Sequence, residues 1–389
     1  MAINNKKRSY GNVILLIMLA ILVMAVAITS FLSPRSTEGG LIKAGNTEKL
    51  KGVWISYMEF GKMIKDKDVA EYQATVTDCL ENIKSLGLNT VILHVRSHCD
   101  AFYESEYFPW SYQVAGEQGK GVAFDPLKEF IALAHPMGIA VHAWINPYRV
   151  TSGSSGLDSV AVNNPAIGLS AEEQAVVSLE TGVYLNPASE SVRTLIINGV
   201  RELIENYEID GIHFDDYFYP TTDESFDNLY YKKYLDAADS SIKLSLDAWR
   251  RMQTNLMVSG VYTAVKSSGR NVCFGISPQA SISRNYDSLY ADVQEWAGGG
   301  YCDYICPQIY FGFEYPLEGY DFSSLAEAWK EITSNEVELV FGLAPYKSGT
   351  TDQGSDEWIR NTDILKRQCE YAKKLAADVY KRQISLLIV

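Results

Sequence analysis

Asp210-Gly211-Ile212-His213-Phe214-Asp215-Asp216-Tyr217 reads as a buried strand that ends in two adjacent carboxylates and an aromatic loop. Neighbouring side chains of a strand point to opposite faces, so Ile212 and Phe214 share one face while Gly211, His213 and Asp215 share the other. Asp215 therefore follows the polar face. Asp216 lies at the strand end, where the chain can turn it either way.

Outward from this stretch, apolar runs of strand type recur at Gly52 to Tyr57, Asn89 to Val95, Ile139 to Ile145, Ile209 to Asp215, Asn271 to Ser277, Tyr304 to Tyr310 and Glu338 to Leu343. Helical patterns separate them, among them Val69 to Leu86, Pro126 to Met137, Ser191 to Tyr207, Ser241 to Lys266 and Asp356 to Ala376. This alternation predicts an α/β fold, a parallel sheet with helices outside it. With no Gly-rich phosphate loop, a (β/α)8 TIM barrel is favoured over a doubly wound sheet.

Parity along the strands agrees. Val91, Leu93 and Val95 share one face of the second run, and His94, Arg96 and His98 the other. In the third run Val141, Ala143 and Ile145 oppose His142, Trp144 and Asn146; in the sixth, Ile305, Pro307 and Ile309 oppose Cys306, Gln308 and Tyr310. An apolar face for helices and a polar face deepening toward the C-terminal end suit a lumen with a site at its mouth.

The rest of the chain bounds the function. A formal charge of -14 and a pI near 4.9 exclude nucleic acid as the expected partner, because that partner requires clustered Lys and Arg. Val13 to Leu32 is apolar except for Thr29 and Ser30 and follows Lys6, Lys7 and Arg8, so residues 1–32 read as a signal peptide or a membrane anchor. The positive flank predicts that the remainder is exported, secreted or anchored by a single N-terminal helix. Residues 33–49 read as a flexible linker, and 50–377 as the barrel. The six cysteines, at 79, 99, 273, 302, 306 and 369, show no disulfide or zinc spacing and read as small core residues.

Several motifs resemble the glycosyl-hydrolase-like family 10 domain. They are Lys51-Gly-Val-Trp54, Asn89-Thr-Val-Ile-Leu-His-Val-Arg96 with Asp100 and Tyr103, and Ala143-Trp144-Ile-Asn146-Pro147-Tyr148-Arg149. Tyr184-Leu-Asn186-Pro187, Asp210 to Tyr217 and Pro307-Gln308-Ile-Tyr310 complete the set. The resemblance runs over about residues 50 to 375 and implies a bacterial TIM-barrel glycosidase-like enzyme, exported or envelope-bound, in a family associated with cell-wall glycan cleavage. It also sets Asp215 where related barrel glycosidases carry a catalytic aspartate after the fourth strand. The chain departs from chitinase-like barrels, whose fourth strand runs Asp-Gly-x-Asp-x-Asp-x-Glu, because His213 and Tyr217 replace two of the acids. It departs from amylase-like barrels in having Ser277-Pro278-Gln279, without a glutamate, after the fifth strand.

Glycoside cleavage generally needs one carboxyl group that protonates the leaving oxygen and one that attacks or activates water. Asp215 is the expected nucleophile or base. Asp216 is the first candidate acid and Glu314 the second, while Asp100 serves either as a third or as an orienter of Arg96. Sugars bind flat aromatic platforms and planar polar groups. The expected substrate-binding set is Trp54, Arg96, Asp100, Trp144, Asn146, Tyr148, Arg149, His213, Tyr217, Gln308, Tyr310, Tyr346 and Lys347, with Tyr219, Phe311, Phe313 and Tyr315 as further rim aromatics. The long connection from Thr151 to Ala188 reads as a cleft wall that orders on substrate.

The expected partner is thus a polysaccharide, bound without cofactor or metal. A barrel that binds glycan without cutting it is the non-enzymatic alternative. A zinc hydrolase using His94, His142 and His213 with Asp215 is the other. At the C-terminus, residues 378–389 read as a doubtful tail without the family's closing strand; either the hexapeptide Ile384 to Val389 fills the gap as a makeshift strand, or the final dozen residues are a sequence-end artefact and the barrel keeps an open edge between strands seven and one.

Overall fold

The computed structural model describes residues 49–239, 243–377 and 384–388, so the apolar run Val13 to Leu32 lies outside the described residues. Among those described, no helix is long and apolar enough to cross a membrane. The strands are β1 (Lys51–Ile55), β2 (Thr90–Arg96), β3 (Ala140–Ile145), β4 (Val176–Leu179), β5 (Gly182–Leu185), β6 (Gly211–Phe214), β7 (Cys273–Ile276), β8 (Tyr304–Ile305), β9 (Glu338–Leu343) and β10 (Ile384–Ile388). Eight of them close a barrel in the order β1-β10-β9-β8-β7-β6-β3-β2. All its neighbours are parallel, as the alternating pattern predicts. β6 is thus the fourth barrel strand.

The closing position is taken by β10, which registers Ile384 on Leu339 of β9 and Leu386 on Lys51 of β1. Of the two expectations for the C-terminus, the makeshift strand is the one observed, and the open edge is not formed.

The helices begin where the sequence supplies caps. Asp68 and Glu71 form a reciprocal capping box at the Val69–Ser85 helix, Asp125 caps the Pro126–Ala134 helix with proline in its first turn, and Ser189 caps Glu190–Asn206. Their apolar faces pack on the outward residues of the strands. Val91, Leu93, Val141, Ala143, Ile212, Phe214, Phe274 and Phe341 all belong to this outer core. A second, smaller cluster fills the lumen, with Trp54, Ile92, Cys273, Tyr304, Cys306 and Val340 buried and Trp144 packed against them. Strand parity thus separates outer core from lumen as expected.

Two glycines make the lumen cluster possible. A Cβ on Gly275 would overlap the ring of Tyr304, its ladder partner on β8, and one on Gly211 would come within 2.7 Å of the His142 ring. Parity fails at one place. The β2–β3 register slips between His94 and Arg96, so that His94 pairs with Trp144 and Arg96 with the outward-facing Ile145. This bulge turns Arg96 out of the lumen. Its guanidinium lies 4.2 Å from the Phe108 ring centroid and against Gly199 of the Glu190–Asn206 helix.

The connection after β3 is not structureless. It holds the short Pro165–Leu169 helix and the antiparallel β4–β5 hairpin, and Asn186 Nδ2 donates to the carbonyls of Gln174 and Phe226. Val177 and Leu179 of the hairpin pack on Tyr219, Phe226 and Tyr290. The wall is tied to the loop after β6, the loop that opens with the two aspartates.

Candidate active site at the mouth of the barrel

β6 ends at Phe214, and the next residue, Asp215, is 3% exposed. Its Oδ2 accepts Trp144 Nε1–H at 3.0 Å from the end of β3, and its Oδ1 accepts the Tyr217 amide at 3.3 Å. Burial, and then the neighbouring Asp216 carboxylate, push its pKa up to about 8, against the opposing pull of Arg149. At neutral pH Asp215 therefore holds a proton in a dry setting. Asp216 is only partly buried, and Gln308 Nε2 fixes its Oδ1 at 3.1 Å while also donating to the Ser277 carbonyl at 2.9 Å. The strand end thus offers two carboxyl groups of different character, one desolvated and one open to the mouth.

Arg149 is the cation beside this pair. Its Nε donates to the Ser97 carbonyl at 3.1 Å, and its guanidinium lies 4.8 Å from the Tyr217 ring centroid and 5.9 Å from that of Tyr57. Tyr217 is 48% exposed, which leaves ring surface for a ligand. Tyr310 and the exposed Tyr346 meet edge to face at 6.3 Å on the side of β8 and β9. Trp144 stacks on His94 with ring centroids 3.7 Å apart and planes 11° from parallel. Burial and the nearby Arg149 keep His94 well below the ordinary histidine range, so it is neutral. Asn146 lies beside that ring, yet neither side chain makes a well-directed hydrogen bond.

Beneath them the lumen is closed by a polar chain. Trp54 Nε1 donates to His213 Nε2 at 3.3 Å, His213 Nδ1 meets the Tyr304 hydroxyl at 2.8 Å, and that hydroxyl meets His142 Nδ1 at 3.0 Å. His142 Nε2 in turn faces Cys273 Sγ at 3.6 Å. Two of the three histidines of the zinc alternative are therefore engaged with Tyr304, and the third is stacked on indole. Among the described residues no group of three or more His, Cys, Asp or Glu side chains is arranged to hold a metal ion.

Trp54, Trp144, His213, Asp215, Asp216, Tyr217, Arg149, Asn146, Gln308 and Tyr310 thus gather at the C-terminal end or floor of the barrel, and several other expected site residues do not. Arg96 is displaced by the bulge. Tyr148 and Tyr219 are each 1% exposed, Tyr148 in the outer core and Tyr219 under the β4–β5 hairpin. Glu314 carries an exposed ion pair with Arg360 at 2.7 Å. Lys347 is paired with Asp352 at 2.7 Å, both largely buried. Asp100 is fully buried and accepts the His98 amide and Gln118 Nε2, so it does not orient Arg96. Phe311 and Phe313 pack on the outer core, and Tyr315 packs on Phe311.

Tyr304 and Tyr57 were missed. Tyr304 has the parity of Cys306 and Gln308, so the period-2 pattern already pointed it inward. Tyr57 carried a weaker signal. It is the first residue of the Tyr57–Ile64 helix, just past β1, and its ring stands edge-on to His94 and His98.

A (β/α)8 barrel with a carboxyl pair after its fourth strand and aromatic rings around its mouth has the architecture of the barrel glycosidases. The chain belongs to the family described as glycosyl hydrolase-like 10, whose model matches residues 49–360. It is 33% identical over 359 residues to the glycosyl hydrolase YngK of Bacillus subtilis, covering 86% of this chain and 68% of that protein. It is 32% identical over 323 residues to the glycosyl hydrolase DigH of Escherichia coli K12, covering 77% of this chain and 72% of the relative. Among solved structures, the glycoside hydrolase domain of PgaB from Bordetella bronchiseptica superposes with a TM-score of 0.57 at 15% identity, covering 88% of this chain and 93% of that one. An α-L-fucosidase from Paenibacillus thiaminolyticus gives 0.55 at 14% identity, over 87% and 46%. At such identities these two speak for the fold alone.

Proposed function

We propose that this protein is a glycoside hydrolase acting on a polysaccharide of the bacterial cell wall or a related polymer. The observation that carries the reading is the Asp215–Asp216 pair, one carboxyl buried with its pKa pushed up to about 8 and its neighbour more open and held by Gln308. Glycoside cleavage needs such an asymmetry, because a carboxylic acid must keep its proton at working pH to protonate the leaving oxygen.

The roles follow from burial. Asp215, protonated and aligned by Trp144 Nε1–H, donates to the glycosidic oxygen. Asp216, more open to the mouth and held by Gln308, attacks the anomeric carbon or activates water. This reverses the order expected from the sequence, since the desolvated carboxyl is the one that retains its proton. Arg149 stabilises the Asp215 carboxylate once the proton has left. Tyr217, Tyr310 and Tyr346 offer ring faces to the sugar, with Trp54 and Trp144 beneath. The family membership and the names of the two relatives support the same reading. The charged flank and apolar run ending at Leu32 support a site of action outside the cytoplasm.

The test is incubation of the full chain with peptidoglycan glycan strands, intact or stripped of peptide, and measurement of new reducing ends. The wild type releases sugars, and Asp215→Asn and Asp216→Asn do not. Retained glycan affinity without release by the wild type would make the protein a binding barrel instead.

A further inference from the structure

The geometry points to Tyr304 as a positioning residue that locks His142 and His213 in single neutral tautomers and thereby pins Trp54 as the floor of the sugar cleft. The tautomers follow from valence along the chain of contacts. An indole N–H can only donate, so His213 Nε2 must present its lone pair to Trp54 Nε1. A neutral imidazole carries one N–H, which places the proton of His213 on Nδ1, donating to the Tyr304 oxygen at 2.8 Å. The phenolic hydrogen of Tyr304 then donates to His142 Nδ1 at 3.0 Å. His142 is left with its proton on Nε2, facing Cys273 Sγ at 3.6 Å. Every link has one direction.

That direction bars a second proton. Protonating His213 at Nε2 would set two N–H groups against each other at Trp54. Protonating His142 at Nδ1 would require the Tyr304 hydroxyl to turn, against the His213 Nδ1–H it already accepts. The groups facing His213 are Trp54, Tyr304, Trp144, His142 and His94, none of them an anion. His142 faces Tyr304 and Cys273, and the Asp210 carboxylate acts on it from the start of β6. Burial opposes charge on both rings. The chain is also built into the backbone, because Gly275 and Gly211 leave room for the Tyr304 and His142 rings.

The consequence concerns the site above. Trp54 lies at the mouth end of β1, and its ring edge stands 3.1 Å from the position a Cβ on Gly342 would occupy on β9, two strands along the barrel wall. The His213 bond fixes the rotation of the indole across the lumen. Tyr304 acts on substrate only through this ring, so the inference rests on the sugar-cleft reading for its functional part alone.

Two measurements on the full chain decide it. The chain has five histidines, so selective 15N-histidine labelling resolves the ring nitrogens. The expected result is His213 with Nδ1–H and a bare Nε2, His142 with Nε2–H and a bare Nδ1, and neither ring titrating between about pH 8 and 5.5. A proton on His213 Nε2, or a second proton on either ring in that range, overturns the lock. The second measurement is a cycle of Tyr304→Phe, Trp54→Phe and the double variant on the glycan polymer. Each single change is expected to lower kcat/KM about tenfold, and the double change no further than Trp54→Phe alone, because Tyr304 works through Trp54. Additive losses overturn the positioning role. If the wild type turns over no glycan while the nitrogen pattern is as stated, the lock stands and only the glycosidase reading falls, and the indole N–H signal of Trp54 in Tyr304→Phe takes the place of turnover. A shifted signal supports the pinning, and an unchanged one refutes it.

Discussion

Replacing Asp215 by asparagine should stabilise the fold while abolishing turnover, and the gain should depend on pH. The folded-state pKa of Asp215 is raised from 3.8 to about 8, so below 3.8 the folded and unfolded chains both hold the proton and the group contributes nothing. Between 3.8 and about 8 the unfolded chain releases the proton and the folded one keeps it, so stability falls as pH rises through this window. Each unit costs about 1.4 kcal/mol, which gives a penalty of up to about 4 kcal/mol at pH 7. Asparagine is neutral at every pH but cannot match both donors, since its NH2 replaces one of the oxygens facing Trp144 Nε1 and the Tyr217 amide. A net gain of about 1–3 kcal/mol at pH 7 remains after loss of one such bond, shrinking to nothing or to a small loss near pH 4. Denaturant unfolding of the full-length wild type and variant at pH 4, 5.5 and 7 reads the difference directly. A variant equal to or weaker than wild type at pH 7, with parallel pH dependence, would refute the placement of a protonated carboxyl in a dry site.

Other consequences can be checked with the same material. The alkaline limb of the pH–rate profile should fall near pH 8 as Asp215 loses the proton it must donate, and a limb near pH 5 would contradict that role. Arg250→Met should destabilise the protein by about 3–5 kcal/mol in chemical denaturation, because Asp227 would be left buried without the guanidinium that bonds it at 2.6 Å. The same arginine donates to the Thr222 and Asp223 carbonyls, so the loop after β6 should also lose protection in hydrogen exchange. Glu314→Gln should leave turnover unchanged and alter stability by about 0–1 kcal/mol, since that carboxylate serves only an exposed pair with Arg360. A large loss of activity would restore it as a candidate acid.

What could be read without coordinates was set by periodicity. Period-2 parity in β2, β3 and β6 assigned His94, Trp144, His213 and Asp215 to the lumen, because a parallel barrel strand has no third face. The same rule failed for Arg96. A bulge depends on how two strands pair, and nothing local in His94-Val95-Arg96 announces it. Loop residues were legible only as types. Glu314, Lys347 and Tyr148 have suitable chemistry near strand ends, but their partners Arg360 and Asp352, and the outer core around Tyr148, are brought to them by the fold. The proposed inversion of roles between Asp215 and Asp216 was likewise not legible, since a carboxyl's pKa follows from its burial and neighbours. Closure by β10 was open to either reading, because a short, mostly apolar run describes a strand without naming its partners.

A leaving group that departs without help shows whether Asp215 supplies its proton. The fragment that the wild type releases, prepared as its nitrophenyl glycoside, needs little protonation to depart. Asp215→Asn is expected to cleave this compound at a rate near that of the wild type while remaining inactive on the polymer, and Asp216→Asn to fail on both. Equal loss on both substrates in Asp215→Asn, with activity retained by Asp216→Asn on the nitrophenyl glycoside, would contradict the assignment.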